Sequence, residues 1–95
     1  MPVSEELYMN FETELKRGAL TLAILSQLHT PQYGYALLQA LVDHGVEIEA
    51  GTLYPMLRRL EKQEILHCEW DITETRPRKY YRLSETGKEL YERLV

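Results

Sequence analysis

The spacing of apolar residues changes near residue 65, and this change limits the possible folds more than any other feature of the sequence. Before it, apolar side chains recur at helical spacing, and residues 53–60 show the i, i+3, i+4, i+7 pattern of one buried helix face. After it, residues 66–72 alternate between apolar and polar side chains, which is typical of a half-buried strand. We therefore expect helices first and a strand hairpin after them.

Capping and breaking residues set the bounds of the first two predicted helices. Ser4 can cap a first helix that runs to about residue 29, because Pro31 disfavours helical geometry in the residue before it. A second helix fits residues 33–44, and Gly45 is well placed to end it.

The third helix begins at Thr52 as its cap, which places Pro55 in the first turn, where its missing N–H has no cost. Two strands follow, at residues 66–72 and 79–83, with the hairpin tip at residues 73–78 between them. A last helix covers residues 84–95. The order helix, helix, helix, strand, strand, helix predicts a mainly α fold with a small two-stranded β-hairpin. No repeat or linker interrupts it, so residues 1–95 are expected to form one domain.

The first predicted helix carries more apolar surface than one small core can cover. Residues 19–25 read ALTLAIL and are apolar nearly all round, so this helix needs two buried faces. A domain of 95 residues supplies one core. The second apolar stripe predicts contact with another subunit, and we expect its members to be Leu7, Tyr8, Phe11, Leu15 and Leu22.

Charge is distributed unevenly along the chain. The net charge of −4 counts at first against a nucleic-acid partner, because phosphate binding needs Lys and Arg. Residues 1–14 hold four acids and no base, whereas residues 76–82 hold four bases and no acid. A basic binding surface can therefore lie on an acidic molecule.

Two basic surfaces favour DNA as the partner. The face of the third helix opposite its apolar stripe carries Pro55, Arg58, Arg59 and Lys62, with Tyr54 on one flank. An apolar face to hold the helix and a cationic face to reach bases and phosphates are what a major-groove recognition helix needs. A solvated surface stripe gives the same pattern.

The hairpin tip adds the second basic surface, with Arg76, Arg78 and Lys79 beside Pro77. Such a tip, or wing, can reach a neighbouring minor groove or the DNA backbone. Charged tips also protect edge strands from aggregation. Cations in both places favour binding to double-stranded DNA over either of these structural explanations.

Four segments resemble, in order, the signature segments of the PadR-like family of transcriptional regulators. They are Arg17-Gly18 before an apolar run, Tyr33-Gly34-Tyr35, Gly51-Thr52-Leu53-Tyr54-Pro55 with residues 57–61, and residues 77–84. The resemblance spans about residues 15 to 90. It implies a winged helix-turn-helix fold (α-α-α-β-β-α) with an extended N-terminal helix, a homodimer, a pseudo-palindromic operator as partner, and repression.

The resemblance also implies roles for single residues. Those expected near the phosphate backbone are Tyr33, Gly34 and Tyr35 at the start of the second helix, Arg59 and Lys62 on the third, and Arg78 and Lys79 on the wing. Those expected to face the groove are Thr52, Tyr54, Pro55 and Arg58. Tyr54 and Tyr80 could equally be packing residues with an exposed hydroxyl.

Relatives of this kind continue past the last helix into a longer helix or a dimerising C-terminal domain, so here we expect the N-terminal helix to carry the dimer contact. Tyr8, Phe11 and Trp70 are the expected lining of a site for a small-molecule effector at that interface. Core packing is the stronger expectation for Trp70.

Catalysis is not expected. His29, His44 and His67 lie in three different elements without metal-ligand spacing, and no phosphate loop or nucleophile motif is present, so neither metal nor cofactor is predicted. Cys68 is expected to be a buried thiol.

The alternative function is a protein-binding winged helix that has lost DNA binding. An adaptor would not need basic side chains on both the third helix and the wing, and salt-sensitive retention on a DNA column separates the two functions. The sequence has neither a run of 18 apolar residues nor a basic-plus-apolar leader, so we expect a cytoplasmic protein without membrane association.

Overall fold

The computed structural model describes residues 3–95, which form four helices and a three-stranded antiparallel sheet. The helices are α1 (Glu5–Gln27), α2 (Gly34–Asp43), α3 (Ala50–Lys62) and α4 (Glu85–Leu94). The strands are β1 (Gln32–Tyr33), β2 (Leu66–Asp71) and β3 (Arg78–Leu83), in the spatial order β1-β3-β2. α2 and α3 form the helix-turn-helix and the β2–β3 hairpin forms the wing, which confirms the predicted fold class.

One apolar core joins the helices and the sheet. α1 packs on α2 and α4, and α3 packs on α2 and β2. The buried apolar residues are Ile24, Leu25, Leu28, Leu37, Leu41, Leu53, Met56, Leu57, Leu60, Leu66, Tyr81 and Leu83. α1 contributes only its C-terminal part to this core, so its N-terminal half projects from the body. None of the helices between residues 3 and 95 is long and apolar enough to cross a membrane.

Side-chain caps fix two helix starts where the sequence predicted them. The Ser4 hydroxyl accepts a hydrogen bond from the Leu7 amide at 3.1 Å, and the Ser84 hydroxyl accepts one from the Gly87 amide at 2.9 Å. Gly45 follows α2 with φ of +84°, a left-handed conformation that suits glycine. These residues therefore end and begin helices at defined points.

Two predicted details of the helix-turn-helix were wrong. α3 begins at Ala50 rather than at Thr52, and its cap residue Glu49 makes no side-chain capping bond. Pro55 therefore lies in the second turn, where the carbonyl of Gly51 loses its usual amide donor. The strand count also differs, because β1 pairs with β3 through Tyr33 and Tyr80 and makes the sheet three-stranded.

The expectation that Trp70 packs in the core was also wrong, because its side chain is 62% exposed. The alternation of residues 66–72 correctly marks a strand, and Leu66 at its start is buried. The hairpin then extends beyond the helices, so apolar residues near its tip meet no core. Trp70 and Ile72 are consequently exposed on the wing.

Candidate nucleic-acid interface

The exposed face of α3 is cationic and free of ion pairs. Leu53, Met56, Leu57 and Leu60 are buried, which turns the opposite side of the helix outward. The exposed residues on that side are Thr52, Pro55, Arg58, Arg59 and Lys62, all five of them predicted site residues. Within residues 3–95, no carboxylate forms an ion pair with Arg58, Arg59 or Lys62. Their charge is therefore available to an external anion.

Tyr54 and Gly34 pack together where α3 meets α2. A Cβ atom at position 34 would lie 2.7 Å from both the Cε1 atom and the hydroxyl oxygen of Tyr54. Gly34 is buried, and Tyr54 is half-buried against the core. Both predicted site residues thus support the α2–α3 contact, and their contact with DNA stays a prediction.

Aromatic side chains at the start of α2 hold the wing residue Arg78. The rings of Tyr33 and Tyr35 stack with 5.9 Å between centroids, and the Arg78 guanidinium lies 4.8 Å from the centroid of Tyr33. The same guanidinium donates a hydrogen bond to the Tyr35 hydroxyl at 3.0 Å and pairs with Glu74. Arg78 is therefore held by α2 and by the hairpin tip.

Asp71 completes this connection from the wing. It accepts a hydrogen bond from the Tyr33 hydroxyl, and its other oxygen accepts from the amide and hydroxyl of Thr73 at 3.0 and 2.6 Å. The bonds from Thr73, and then the bond from Tyr33, lower the pKa of the Asp71 carboxyl to about 2. We call the contacts of Tyr33 and Tyr35 with Asp71 and Arg78 the wing latch.

A second contact ties the wing to α3. The Lys79 ammonium donates a hydrogen bond to Glu61 at 2.8 Å, and this bond lowers the pKa of Glu61 and raises that of Lys79. Lys79 also lies 5.4 Å from the ring centroid of Tyr81. Its charge is thus partly neutralised, in contrast to the cations on α3.

Cys68 lies beside the same carboxylate. Burial, and then the charge of Glu61, raise the pKa of the Cys68 thiol to about 12. The thiol stays protonated near neutral pH and is a poor nucleophile. This half-buried cysteine is a packing residue of the wing.

Sequence reasoning did not select Asp71 or Glu61. Asp71 ends the first wing strand and lies directly across from Arg78 in the hairpin register. An acid opposite a cation across a predicted hairpin is a pattern that could have marked Asp71 from the sequence. Glu61 offered no such signal, because its partner Lys79 is 18 residues away on another element.

The residues predicted for a dimer contact lie on α1. Leu7, Tyr8, Phe11 and Leu15 are exposed, and Leu22 is half-buried. This arrangement leaves an apolar surface without a partner in the described part of the chain, and its role stays a prediction.

The three residues predicted for an effector site are not assembled within one chain. Tyr8 and Phe11 lie on α1, which packs mainly on α2 and α4. Trp70 lies on β2, which packs on β3 and α3.

Comparisons with known proteins identify similar chains. The sequence model described as "Transcriptional regulator PadR-like family" matches residues 21–93. The transcriptional regulator Rv3488 from Mycobacterium tuberculosis is 37% identical over 76 residues, which are 79% of this chain and 71% of that protein.

Two crystal structures show the same architecture. A PadR family transcriptional regulator from Eggerthella lenta DSM 2243 superposes with a TM-score of 0.80 at 47% identity, over 95% of this chain and 80% of that one. A PadR-like transcription factor from Bacteroides fragilis gives a TM-score of 0.80 at 34% identity, over 90% of this chain and 84% of that one.

Proposed function

Because the chain belongs to the PadR-like family of transcriptional regulators, we propose that it represses transcription by binding a pseudo-palindromic operator in double-stranded DNA as a homodimer. Members of this family are regulators and not enzymes. The observation that carries the proposal is the exposed face of α3, where Arg58, Arg59 and Lys62 have no ion-pair partner within residues 3–95. Unpaired cations on an acidic protein suit a polyanionic partner.

Each part of the surface has a proposed task. α3 enters the major groove, where Thr52, Pro55 and Arg58 face base edges, and a guanidinium such as that of Arg58 can bind guanine O6 and N7 together. Arg59 and Lys62 contact phosphates on either side of the groove. The packing of Tyr54 on Gly34 supports α3 from within the domain.

The start of α2 and the wing approach the DNA backbone. Tyr33 and Tyr35 belong to the wing latch and Gly34 lies between them in the chain, so α2 and the wing approach the DNA as one unit. Arg78 and Lys79 position the wing through their contacts with Tyr35 and Glu61 and add positive charge near the backbone. Arg76, which is exposed at the tip, is the wing cation best placed to reach DNA.

The homodimer forms through the exposed apolar residues of α1, and a two-fold dimer presents two α3 helices about 34–36 Å apart. Promoter DNA is the partner, so the protein acts in the cytoplasm. Release by a small-molecule effector would need Tyr8, Phe11 and Trp70 to come together between subunits. A ligand bound there would change the fluorescence of Trp70, the only tryptophan.

A footprinting experiment on the DNA flanking the gene itself tests the proposal. We expect protection of an inverted repeat, with binding that weakens steeply as salt rises. The variant with Arg58, Arg59 and Lys62 all changed to Ala should keep its circular dichroism spectrum and lose binding. A wild-type protein that binds no duplex even at low salt would contradict the proposal and favour the protein-binding adaptor.

A further inference from the structure

A cleft between α1 and α3 borders the exposed face of α3, and the residues of α1 that line it have no role in the function proposed above. Three cations line it, Lys16 and Arg17 from α1 and Arg59 from α3. Thr13 and Thr52 also line it, and the charged residues that line the cleft include no acid. The cleft is therefore a concave and locally basic surface on a chain of net charge −4.

The two arginines of the cleft are not neutralised by the chain. In the described part of the chain, neither Arg17 nor Arg59 forms an ion pair, and both are exposed. Lys16 pairs with Glu12 at 3.1 Å, but its side chain is 73% exposed, and such surface pairs are weak. Two unpaired arginines that line one cleft suit a phosphate, because a phosphate matches the planar donors of a guanidinium group.

The position of the cleft indicates which phosphate it would meet. Thr52, Pro55 and Arg59 line the cleft and also belong to the exposed face of α3. Toward the wing, a second cleft is lined by Arg58, Arg59, Lys62 and Lys79 together with Glu61, which pairs with Lys79. A helix about 10–12 Å across fills a major groove about 12 Å wide, so a phosphate backbone runs along each of its flanks. The cleft beside α1 adjoins the exposed face of α3, so a backbone that runs along α3 can pass over it.

We propose that the cleft between α1 and α3 binds a backbone phosphate of the operator through Arg17 and Arg59, on the side of α3 that faces α1. The inference rests on the proposed function and adds a DNA contact from α1, which sequence reasoning left without one. Arg17 then has a task outside the dimer contact of the same helix.

Salt-dependent binding of single variants tests the cleft. The probe is a fluorescein-labelled duplex of random sequence, because a phosphate contact does not depend on base sequence. The variants are Arg17→Ala and, as a charge-matched control, Arg93→Ala, which removes an exposed arginine of α4 that pairs with Glu89. Lys62→Ala serves as a reference for a phosphate contact outside the cleft.

We expect Arg17→Ala to weaken binding and to flatten the plot of log affinity against log salt by about one unit. Between about 50 and 200 mM salt, its affinity should therefore fall about fourfold less than that of the wild type. Arg93→Ala should behave like the wild type. Combining Arg17→Ala with Arg59→Ala should cost less than the product of the two single losses, because both residues act on one phosphate.

Other outcomes overturn the proposal in distinguishable ways. A wild-type slope in Arg17→Ala beside a flattened slope in Lys62→Ala overturns the cleft and leaves the proposed function standing. A wild-type protein without salt-dependent DNA binding overturns the proposed function. If sedimentation equilibrium shows that Arg17→Ala dissociates a dimer, acidic side chains of a second copy fill the cleft, and the phosphate site is wrong.

Discussion

Arg58 and Lys62 lie one helical turn apart on the exposed face of α3. We expect replacement of Arg58 to change the base preference and replacement of Lys62 to weaken binding to every sequence. Arg58→Ala should cost about 1–3 kcal/mol and relax the preference at one base pair if Arg58 binds a guanine. Lys62→Ala should weaken binding to all sequences alike and flatten the salt dependence by about one unit, because it contacts a phosphate. Dissociation constants on operator and random duplexes measure both effects. Equal losses on the two duplexes in Arg58→Ala would remove its base-reading role.

Gly34 is a residue at which the added volume of one methyl group should matter. Gly34→Ala places a Cβ atom 2.7 Å from the ring of Tyr54, so either that ring or the two helices must shift. We expect a loss of about 1–3 kcal/mol in the free energy of unfolding, measured by denaturant titration. Gly51→Ala is the matched control, because a Cβ atom at that helical position meets nothing within 4 Å.

Gly34→Ala in a Tyr54→Ala background identifies the cause of the stability loss. Without the tyrosine ring, the added methyl group should cost much less, since contacting residues are not additive. An equal loss in both backgrounds would show that the Tyr54 ring is not the cause of the loss.

At the scale of elements, the periodic spacing of apolar residues predicted all four helices and the wing, but not the short strand β1. A two-residue strand has no measurable period, and Tyr33 pairs with Tyr80, which is far along the chain. The start of α3 was misplaced because Thr52 is a good cap residue, whereas the helix begins after Glu49 without a side-chain cap. Local preference was overruled there by tertiary packing.

The site was predicted less completely than the fold. Helical spacing placed Arg58, Arg59 and Lys62 on the exposed face of α3 because one buried stripe fixes the opposite face. The wing contacts could not be obtained in this way, since they depend on register and on where one element ends against another. Trp70 shows the limit, because alternation tells which face it occupies and not whether a core lies beneath that face.

For a variant of the wing latch, the change in charge and the change in geometry should have opposite effects on DNA affinity. Asp71→Ala removes a negative charge near the DNA, and electrostatics alone would strengthen binding. It also removes the acceptor of Tyr33 and Thr73, so the wing loses its fixed angle. We expect weaker binding to operator DNA in fluorescence anisotropy, with the preferred sequence unchanged.

Glu74→Ala is the matched control for this latch variant. It removes the same charge from the hairpin tip and frees Arg78 from its ion pair, while the bonds of Asp71 remain. Its affinity should be equal to or higher than that of the wild type. Tighter binding in Asp71→Ala would show that the wing angle does not contribute.

The latch should also give the fold a dependence on pH. The folded state holds the Asp71 carboxyl at a pKa of about 2 against an ordinary value of 3.8. A depressed pKa contributes stability that is complete above the ordinary value and is lost as pH falls through the folded value. The difference in Tm between wild type and Asp71→Ala should therefore be constant above about pH 5 and shrink toward pH 2. A difference that does not change with pH would mean that Asp71 acts without its charge.

At the scale of the whole molecule, α1 is the element whose apolar surface is not fully buried by the described part of the chain. The molecule is 59 Å long and only 27 and 23 Å across, and Phe11 is 58% exposed. Tyr8, Phe11, Leu15 and Leu22 follow at intervals of three, four and seven residues, which is the spacing of a helix-pairing seam. Gly18 continues the same seam and has open space where a Cβ atom would be, so another helix could approach closely there.

Loss of this seam should therefore abolish assembly and operator binding together. Phe11→Gln combined with Leu15→Gln removes two exposed apolar side chains from α1 without touching the core, so each chain should keep its helical circular dichroism. Sedimentation equilibrium should then show monomers in place of the wild-type dimers. Operator affinity should fall about 10²- to 10⁴-fold, because a dimer binds its second half-site as an intramolecular event and a monomer does not.

Val42→Gln, which changes an exposed apolar residue of α2, should remain dimeric and bind as the wild type does. A wild-type protein that is monomeric at micromolar concentration would contradict the α1 interface, and a monomeric variant with full operator affinity would separate DNA binding from assembly.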